Sequence, residues 1–232
     1  MQWNEEAIVL SSKKFGESNL IVTVFAETRG VFSGLVRGGQ SKTKIAIYQP
    51  GNIVAATWNA RLDEQLGVIN AETVNAISAH LIQDSLKLQS LMSIAAMLRK
   101  TIAEREPHQR LYRELSKFLI GVLEAEEWIS SYINFELALL RDLGFGLDLE
   151  KCAVTGRKDN LIYISPASGR AVTAEGAAGY EDKMLKFPDG YCQALEITEY
   201  FLMKNVFYPH NWKLPDERQR LKDLVEKRLK VA

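Results

Sequence analysis

The apolar–polar pattern of this chain changes period partway along. From residue 7 to about residue 75 the apolar residues come in short runs rich in β-branched and aromatic side chains. The first three runs are Ala7-Ile-Val-Leu10, Leu20-Ile-Val-Thr-Val-Phe25 and Val31-Phe-Ser-Gly-Leu-Val36, punctuated by Gly16 and by Arg29-Gly30. Pro50-Gly51 marks a turn before Asn52-Ile-Val-Ala-Ala-Thr-Trp58, and Leu66-Gly-Val-Ile-Asn-Ala-Glu-Thr-Val74 ends the set. Runs of this kind between glycine and proline predict strands. Five of them in about 70 residues predict a small barrel, because closure removes the edges that a free five-stranded sheet would expose.

After His80 the spacing becomes helical: Leu81, Leu88, Leu91, Ile94, Ala95, Leu98 and Ile102 recur on one face. Pro107 suits the first residue of a second helix, where its missing N–H is not needed, with Leu111, Leu115, Phe118, Leu119 and Val122 as its apolar stripe. A third helix is expected from about Glu127 to Leu143, lined by Trp128, Tyr132, Phe135 and Leu139, with Gly144 as its C-terminal cap. Residues 152–180 are rich in Gly, Ser and Ala and hold one clear strand, Leu161-Ile-Tyr-Ile164. Pro188-Asp189 opens a further helix, with Asp189 as N-cap, Leu195, Tyr200, Leu202, Met203 and Phe207 along it and Pro209 at its end. Pro215-Asp-Glu opens a last, basic helix with acids at its positive end. The fold class is therefore α+β. A barrel occupies residues 1–79, a helical part 80–150 and 181–232, and a small β insertion 151–180.

Composition adds bounds. The 232 residues are 47% hydrophobic and 25% charged, an ordinary soluble balance that can bury a core. No stretch reaches the roughly 18 apolar residues of a membrane helix, and the acidic start Met1-Gln-Trp-Asn-Glu-Glu is unlike a signal peptide, so a cytoplasmic protein is expected. Cys152 and Cys192, without a CxxC, are expected as reduced thiols.

The formal net charge is +0, but its distribution is uneven. Between residues 13 and 61 stand Lys13, Lys14, Arg29, Arg37, Lys42, Lys44 and Arg61 against Glu17 and Glu27, a balance of +5. From Lys213 to the end seven basic residues face four acidic ones, a balance of +3. A neutral protein with two basic regions can still hold a polyanion locally.

Enzyme motifs fail. Gly34-Leu-Val-Arg-Gly-Gly-Gln-Ser41 approaches a phosphate loop, but Gln40 stands where the phosphate-binding lysine is required. There is no G-x-S-x-G, and His80, His108 and His210 are widely spaced, none within HExxH. No reaction and no cofactor is indicated. The better signal is Arg37-Gly-Gly-Gln-Ser-Lys-Thr-Lys44, read as a flexible basic loop whose glycines let backbone N–H groups approach phosphate. Phe15, Phe32, Tyr48 and Trp58 are interleaved with it. Single-strand binders pair such charge with aromatic faces, though the same aromatics can instead fill the barrel, as the alternation around Phe32 favours.

Several phrases in order then resemble the RecO family. They are Ala7-Ile-Val-Leu10 with Phe15-Gly-Glu-Ser-Asn-Leu-Ile21, Arg29-Gly30, Gly34-Leu-Val-Arg-Gly38, Gln49-Pro-Gly51 and Trp58-Asn-Ala-Arg61. Later come Phe135-Glu-Leu-Ala-Leu-Leu140, Leu143-Gly-Phe-Gly-Leu-Asp-Leu-Glu-Lys-Cys152, Thr155-Gly156 and Ser165-Pro-Ala-Ser-Gly-Arg-Ala-Val172. The resemblance implies an N-terminal OB-fold, a helical domain and a small insertion resembling a zinc ribbon. It implies a non-enzymatic mediator of repair and recombination that binds single- and double-stranded DNA and anneals strands. Its implied partners are RecR and the C-terminal tail of SSB, which it helps RecA displace. The DNA contact is expected at Lys13, Lys14, Arg29, Arg37, Lys42, Lys44, Trp58 and Arg61. The SSB tail is expected on the second helix, at Arg110, Arg113 and Lys117 beside Leu111 and Leu115; a solvated face paired with Glu106 and Glu114 is the other reading of those charges.

Many family members carry four zinc-binding cysteines in the insertion. Here Cys152 matches the first, Thr155 stands at the second, and no cysteine occurs around Gly169-Arg-Ala-Val172, so a metal-free insertion is expected. The competing readings are a scaffold that binds only SSB and RecR, and an enzyme with an unrecognised site around residues 165–170.

Overall fold

In the computed structural model, which describes residues 1–62, 65–124 and 128–229, strands form where the β-branched runs predict them. They are β1 (Gln2–Phe15), β2 (Asn19–Ala26), β3 (Gly30–Val36), β4 (Ile53–Asn59) and β5 (Gly67–Asn75). They close into a barrel in the order β1-β2-β3-β5-β4, with β4 returning to β1. Antiparallel pairing runs throughout except at β3–β5, where Gly34 and Leu35 meet Gly67 and Val68 in parallel. This is an OB-type barrel.

Alternation fills it. Val9, Leu20, Val22, Val24, Val54, Ala56 and Ile69 point inward around the rings of Trp3, Phe32, Tyr48 and Trp58. Closure depends on a small residue: a Cβ on Gly67 would lie 2.2 Å from the Trp58 ring. Residues 7–10 are buried at every position, beyond what a half-buried strand requires, because α3 packs on β1.

By internal packing the chain forms two units, Met1–Trp128 with Pro215–Ala232, and Ile129–Leu214. In the first, the barrel is joined by α1 (Lys42–Ile47), α2 (Ile77–Leu81), α3 (Ser85–Thr101), α4 (Gln109–Glu124) and α7 (Asp216–Leu229). Asp84 caps α3 by accepting from the N–H groups of Leu86 and Lys87, both at 3.1 Å. α7 packs along α3 with Arg218 fully buried. Lys230, one of the seven basic residues from Lys213 to the end, lies outside the described residues.

The second unit holds most of α5 (Trp128–Asp142), then α6 (Tyr191–Leu202), which runs on as a π-helical turn over Met203–Phe207. The carboxylate of Glu136 is buried between them, accepting from Tyr132 Oη at 2.8 Å and Thr198 Oγ1 at 2.5 Å. The same unit holds a three-stranded sheet in the order β7-β6-β8, from β6 (Leu161–Ile164), β7 (Ala171–Thr173) and β8 (Leu185–Lys186).

Some expected boundaries move. Pro107 is not the first helical residue: α4 begins at Gln109, and the carbonyl of His108 accepts the first helical bond, from Tyr112 N–H at 2.9 Å. Glu127, expected to open α5, lies outside the described residues, while Gly144 at φ +88° ends that helix as expected. Gly190, not Asp189, is the N-cap of α6 and offers no side-chain bond. β7 and β8 escape the sequence reading because each is only two or three residues long, below the length at which alternation registers.

Candidate nucleic-acid interface

One end of the barrel gathers the basic residues. The β1–β2 hairpin places Lys13, Lys14 and Phe15 opposite Ile21, Leu20 and Asn19 and turns through Gly16 at φ +61°. The turn after β3 carries Arg37. Gln40 stitches turn to hairpin: its N–H donates to Ser18 O at 2.9 Å, and its Nε2 donates to the carbonyls of Gly16 and Asn19 at 2.9 and 3.0 Å. Gly38 N–H donates to Asn19 Oδ1 at 3.1 Å. Gln40, which rules out a phosphate loop, therefore has a structural task.

The expected flexible loop is a correction. Ser41 caps a short helix, accepting from Lys44 N–H at 3.4 Å, and Lys42 and Lys44 sit on that helix. Lys44 Nζ donates to Arg37 O at 2.7 Å. At its other end the helix is held by the buried Asn52, whose Nδ2 donates to the carbonyls of Ala46 and Ile47 and whose Oδ1 accepts from Ser78. The charges of Lys13, Lys14, Arg37, Lys42 and Lys44 are thus mounted on a braced frame, with Glu17 at the same tip.

The aromatics divide sharply. Trp58 is 0% exposed, stacks on Trp3 and donates from Nε1 to Ser33 O at 3.0 Å. Its expected role against DNA is therefore corrected to core packing, since a ring with no open face cannot take a base. Phe32 and Tyr48 are likewise core. Phe15 is 51% exposed at the hairpin tip and can stack.

Arg29 and Arg61 lie outside this frame. Arg29 sits in the β2–β3 turn beside acids: Glu5 accepts from Thr28, and Glu27 pairs with Arg113 at 2.7 Å. Burial first, and then the carboxylates of Glu6, Glu27 and Glu5, push the phenol of Tyr112 up to about 12. Arg29 thus lies among the carboxylates of Glu5, Glu6 and Glu27, apart from the hairpin-end cations. Arg61 is exposed in the β4–β5 connection.

The expected peptide site on α4 is also corrected. Leu111 and Leu115 are each 1% exposed, closed within the core, so they offer no apolar pocket. Arg113 is engaged by Glu27 and Lys117 by Glu114, each at 2.7 Å, while Arg110 is exposed. Of the acids expected to pair with these charges, Glu114 does so, whereas Arg113 pairs with Glu27 and not with Glu106.

The insertion does not fit a zinc ion. Cys152 Sγ is buried and accepts from the N–H groups of Val154, Thr155 and Thr173 at 3.3–3.4 Å, with Thr173 Oγ1 at 3.5 Å. Hydroxyl and amide groups surround it where thiolates would be needed. Among the described residues no cluster of three His, Cys, Asp or Glu could hold a metal. Burial pushes the thiol up, but hydrogen bonding from Thr155 and Thr173 outweighs it and holds the group at about 6. No described helix is long and apolar enough to cross a membrane.

Two basic side chains that sequence reading passed over border the barrel. Arg105, at φ +69°, lays its guanidinium over Phe32 and Trp58 at 5.7 and 5.8 Å and donates to Gln65 O. Arg99 comes from the last turn of α3. The basic pair Arg99-Lys100 at a helix C-terminus was the available signal, but it reads equally as favourable dipole pairing.

The site is thus an OB-type barrel with a braced cationic end and an exposed aromatic ring. Comparison with known sequences narrows this. Residues 1–77 match the family model "Recombination protein O N terminal", and residues 82–199 match "Recombination protein O C terminal". The DNA repair protein RecO of Roseobacter denitrificans is 39% identical over 241 residues, covering 99% of this chain and 100% of the relative. Those of Sinorhizobium medicae and Bartonella tribocorum are 35% and 38% identical over 244 residues, covering all of this chain and 98% of each. The chain belongs to the RecO family, and its role lies in DNA repair and recombination.

Proposed function

We propose that this chain is a non-enzymatic mediator that binds single- and double-stranded DNA through its barrel, anneals complementary strands, and with RecR helps load RecA on SSB-coated gaps. The observation that carries this reading is the convergence of Lys13, Lys14, Arg37, Lys42 and Lys44 beside the exposed ring of Phe15, on a frame braced by Gln40. Phosphates supply most of the binding energy of such a surface, and Phe15 adds base stacking of about 1–3 kcal/mol. Annealing follows from charge. Two strands held on cations lose much of their mutual repulsion, and weak contacts to the backbone let them slide into register.

In this reading residues 1–79 carry DNA. Residues 80–150 and 181–232 carry the protein partners, RecR and the SSB tail, with 151–180 as an insertion without metal. Family membership supports the partners. The test is annealing of complementary oligonucleotides, bare and SSB-coated, by the purified protein without nucleotide or metal. Rapid annealing of both is expected; no acceleration over the spontaneous rate would overturn the reading.

A further inference from the structure

A groove of about 320 Å³ runs between the outer face of β1–β3 and the end of α3. Its floor is built from cross-strand rows. Ser11, Thr23 and Ser33 align in one, with Thr23 Oγ1 and Ser33 Oγ 3.1 Å apart, and Lys13 aligns with Ile21 in the next. The opposite wall brings Arg99, Ile102 and Glu104.

The polar groups here are poised differently from those of a closed network. Arg99 commits only Nε, to Ala95 O at 3.2 Å, and its terminal nitrogens have no partner among the described residues. The Lys13 ammonium likewise has none among them. Glu104 accepts a hydrogen bond from the Ser33 hydroxyl on Oε1 at 2.5 Å, and its other oxygen stays available as an acceptor. Two cations from opposite walls select an anion. Ile21, half-buried, offers an apolar face, and Glu104 can accept from an amino group. An anion, a flat apolar body and an amino donor on one molecule describe a nucleotide with an amino-bearing base. The volume sits at the lower end of the roughly 300–1,000 Å³ typical of small-ligand sites.

We infer that this groove holds one unpaired nucleotide, its phosphate between Lys13 and Arg99, its base against Ile21, with Glu104 favouring cytosine or adenine over thymine. Glutamate accepts from the cytosine N4 amino group and has nothing to offer the thymine O4 acceptor. The inference rests on the proposal that the barrel carries DNA, and it extends the strand's path from the hairpin tip, since Lys13 belongs to both places. It also gives a physical basis for telling single strands from duplex, because only an unpaired base can be splayed into a groove.

The test measures the affinity of the full chain for labelled oligo-dC, oligo-dT and a duplex of equal length, with Arg99→Gln, Arg99→Lys and Glu104→Ala variants. Arg99→Gln is expected to weaken oligo-dC binding about tenfold and duplex binding less than about twofold. Arg99→Lys restores most of the loss, and Glu104→Ala removes a preference for dC over dT. Independently of any variant, titration of the unaltered protein with deoxycytidine 5′-monophosphate should give saturable amide shifts at Thr23 and Ser33, larger than those from inorganic phosphate. Equal loss for single strand and duplex, or no shifts at those amides, would overturn the groove. If Arg37 and Lys42 replacements weaken binding while Arg99→Gln does not, the groove fails and the barrel reading stands. If the unaltered protein binds no oligonucleotide, the barrel reading fails first.

Discussion

Lys44 donates from Nζ to the carbonyl of Arg37 at 2.7 Å, tying the first turn of α1 to the turn that follows β3. The two residues had the same expected role in the sequence, yet one holds the other in place. Replacing Lys44 by Ala therefore removes both a charge and a brace, whereas Lys42→Ala removes only a charge. Lys44→Ala should raise amide exchange across residues 37–41 and weaken DNA binding more than Lys42→Ala does. Equal exchange in the two variants would show that the bond is not maintained in solution.

Trp58 separates stability from binding. It is wholly buried and bonded through Nε1 to Ser33 O. Trp58→Ala should cost about 3–5 kcal/mol of stability through cavity formation. Trp58→Phe, which keeps most of the ring volume, should leave the barrel folded at the smaller stability cost of an unpaired carbonyl, about 1–3 kcal/mol, with DNA affinity unchanged within about twofold. Denaturant melts alongside oligonucleotide titration check both. A folded Trp58→Phe protein with strongly reduced affinity would return Trp58 to the interface.

Much of this was legible in the sequence, for identifiable reasons. The five barrel strands were readable because β-branched runs alternate between glycine and proline breaks. α7 was readable because Pro215 and two acids mark its start. The site was legible only as charge. Which aromatic faces water could not be read, because Phe15 and Trp58 differ only in position along their strands, and strand ends leave the core gradually. The bracing of the basic end was hidden as well, since Gln40, Asn52 and Lys44 make contacts set by tertiary approach and not by spacing. On α4 the charges share one flank, but the partner of Arg113, Glu27, comes from the β2–β3 turn, 86 residues away in sequence.

Cys152 makes stability depend on pH. Its folded value of about 6 lies below the ordinary 9.0, so the unfolded chain binds more protons between those values. The stabilisation is full above about pH 9 and is lost as pH falls through 6. The unit containing Cys152 should therefore unfold more easily at pH 6 than at pH 8.5, and Cys152→Ala should flatten that difference. Denaturation followed at both pH values tests this; an unchanged difference in the variant would contradict it.

The same sulfur predicts the metal content. With amides and hydroxyls around Cys152 in place of further thiolates, the purified protein should hold no stoichiometric zinc, and chelator should leave its melting unchanged. One zinc per chain, lost with Cys152→Ala, would contradict this.

The central claim is that the cations at the hairpin end of the barrel hold the DNA backbone. The salt dependence of single-strand affinity tests it most directly, in the unaltered protein and in a folded Lys14→Gln, Arg37→Gln, Lys42→Gln variant. Each lost phosphate contact should flatten the slope of log affinity against log salt by about 0.7, so the variant should lose up to about 2 from the slope while binding more weakly at low salt. An unchanged slope and affinity in the folded variant would contradict the account.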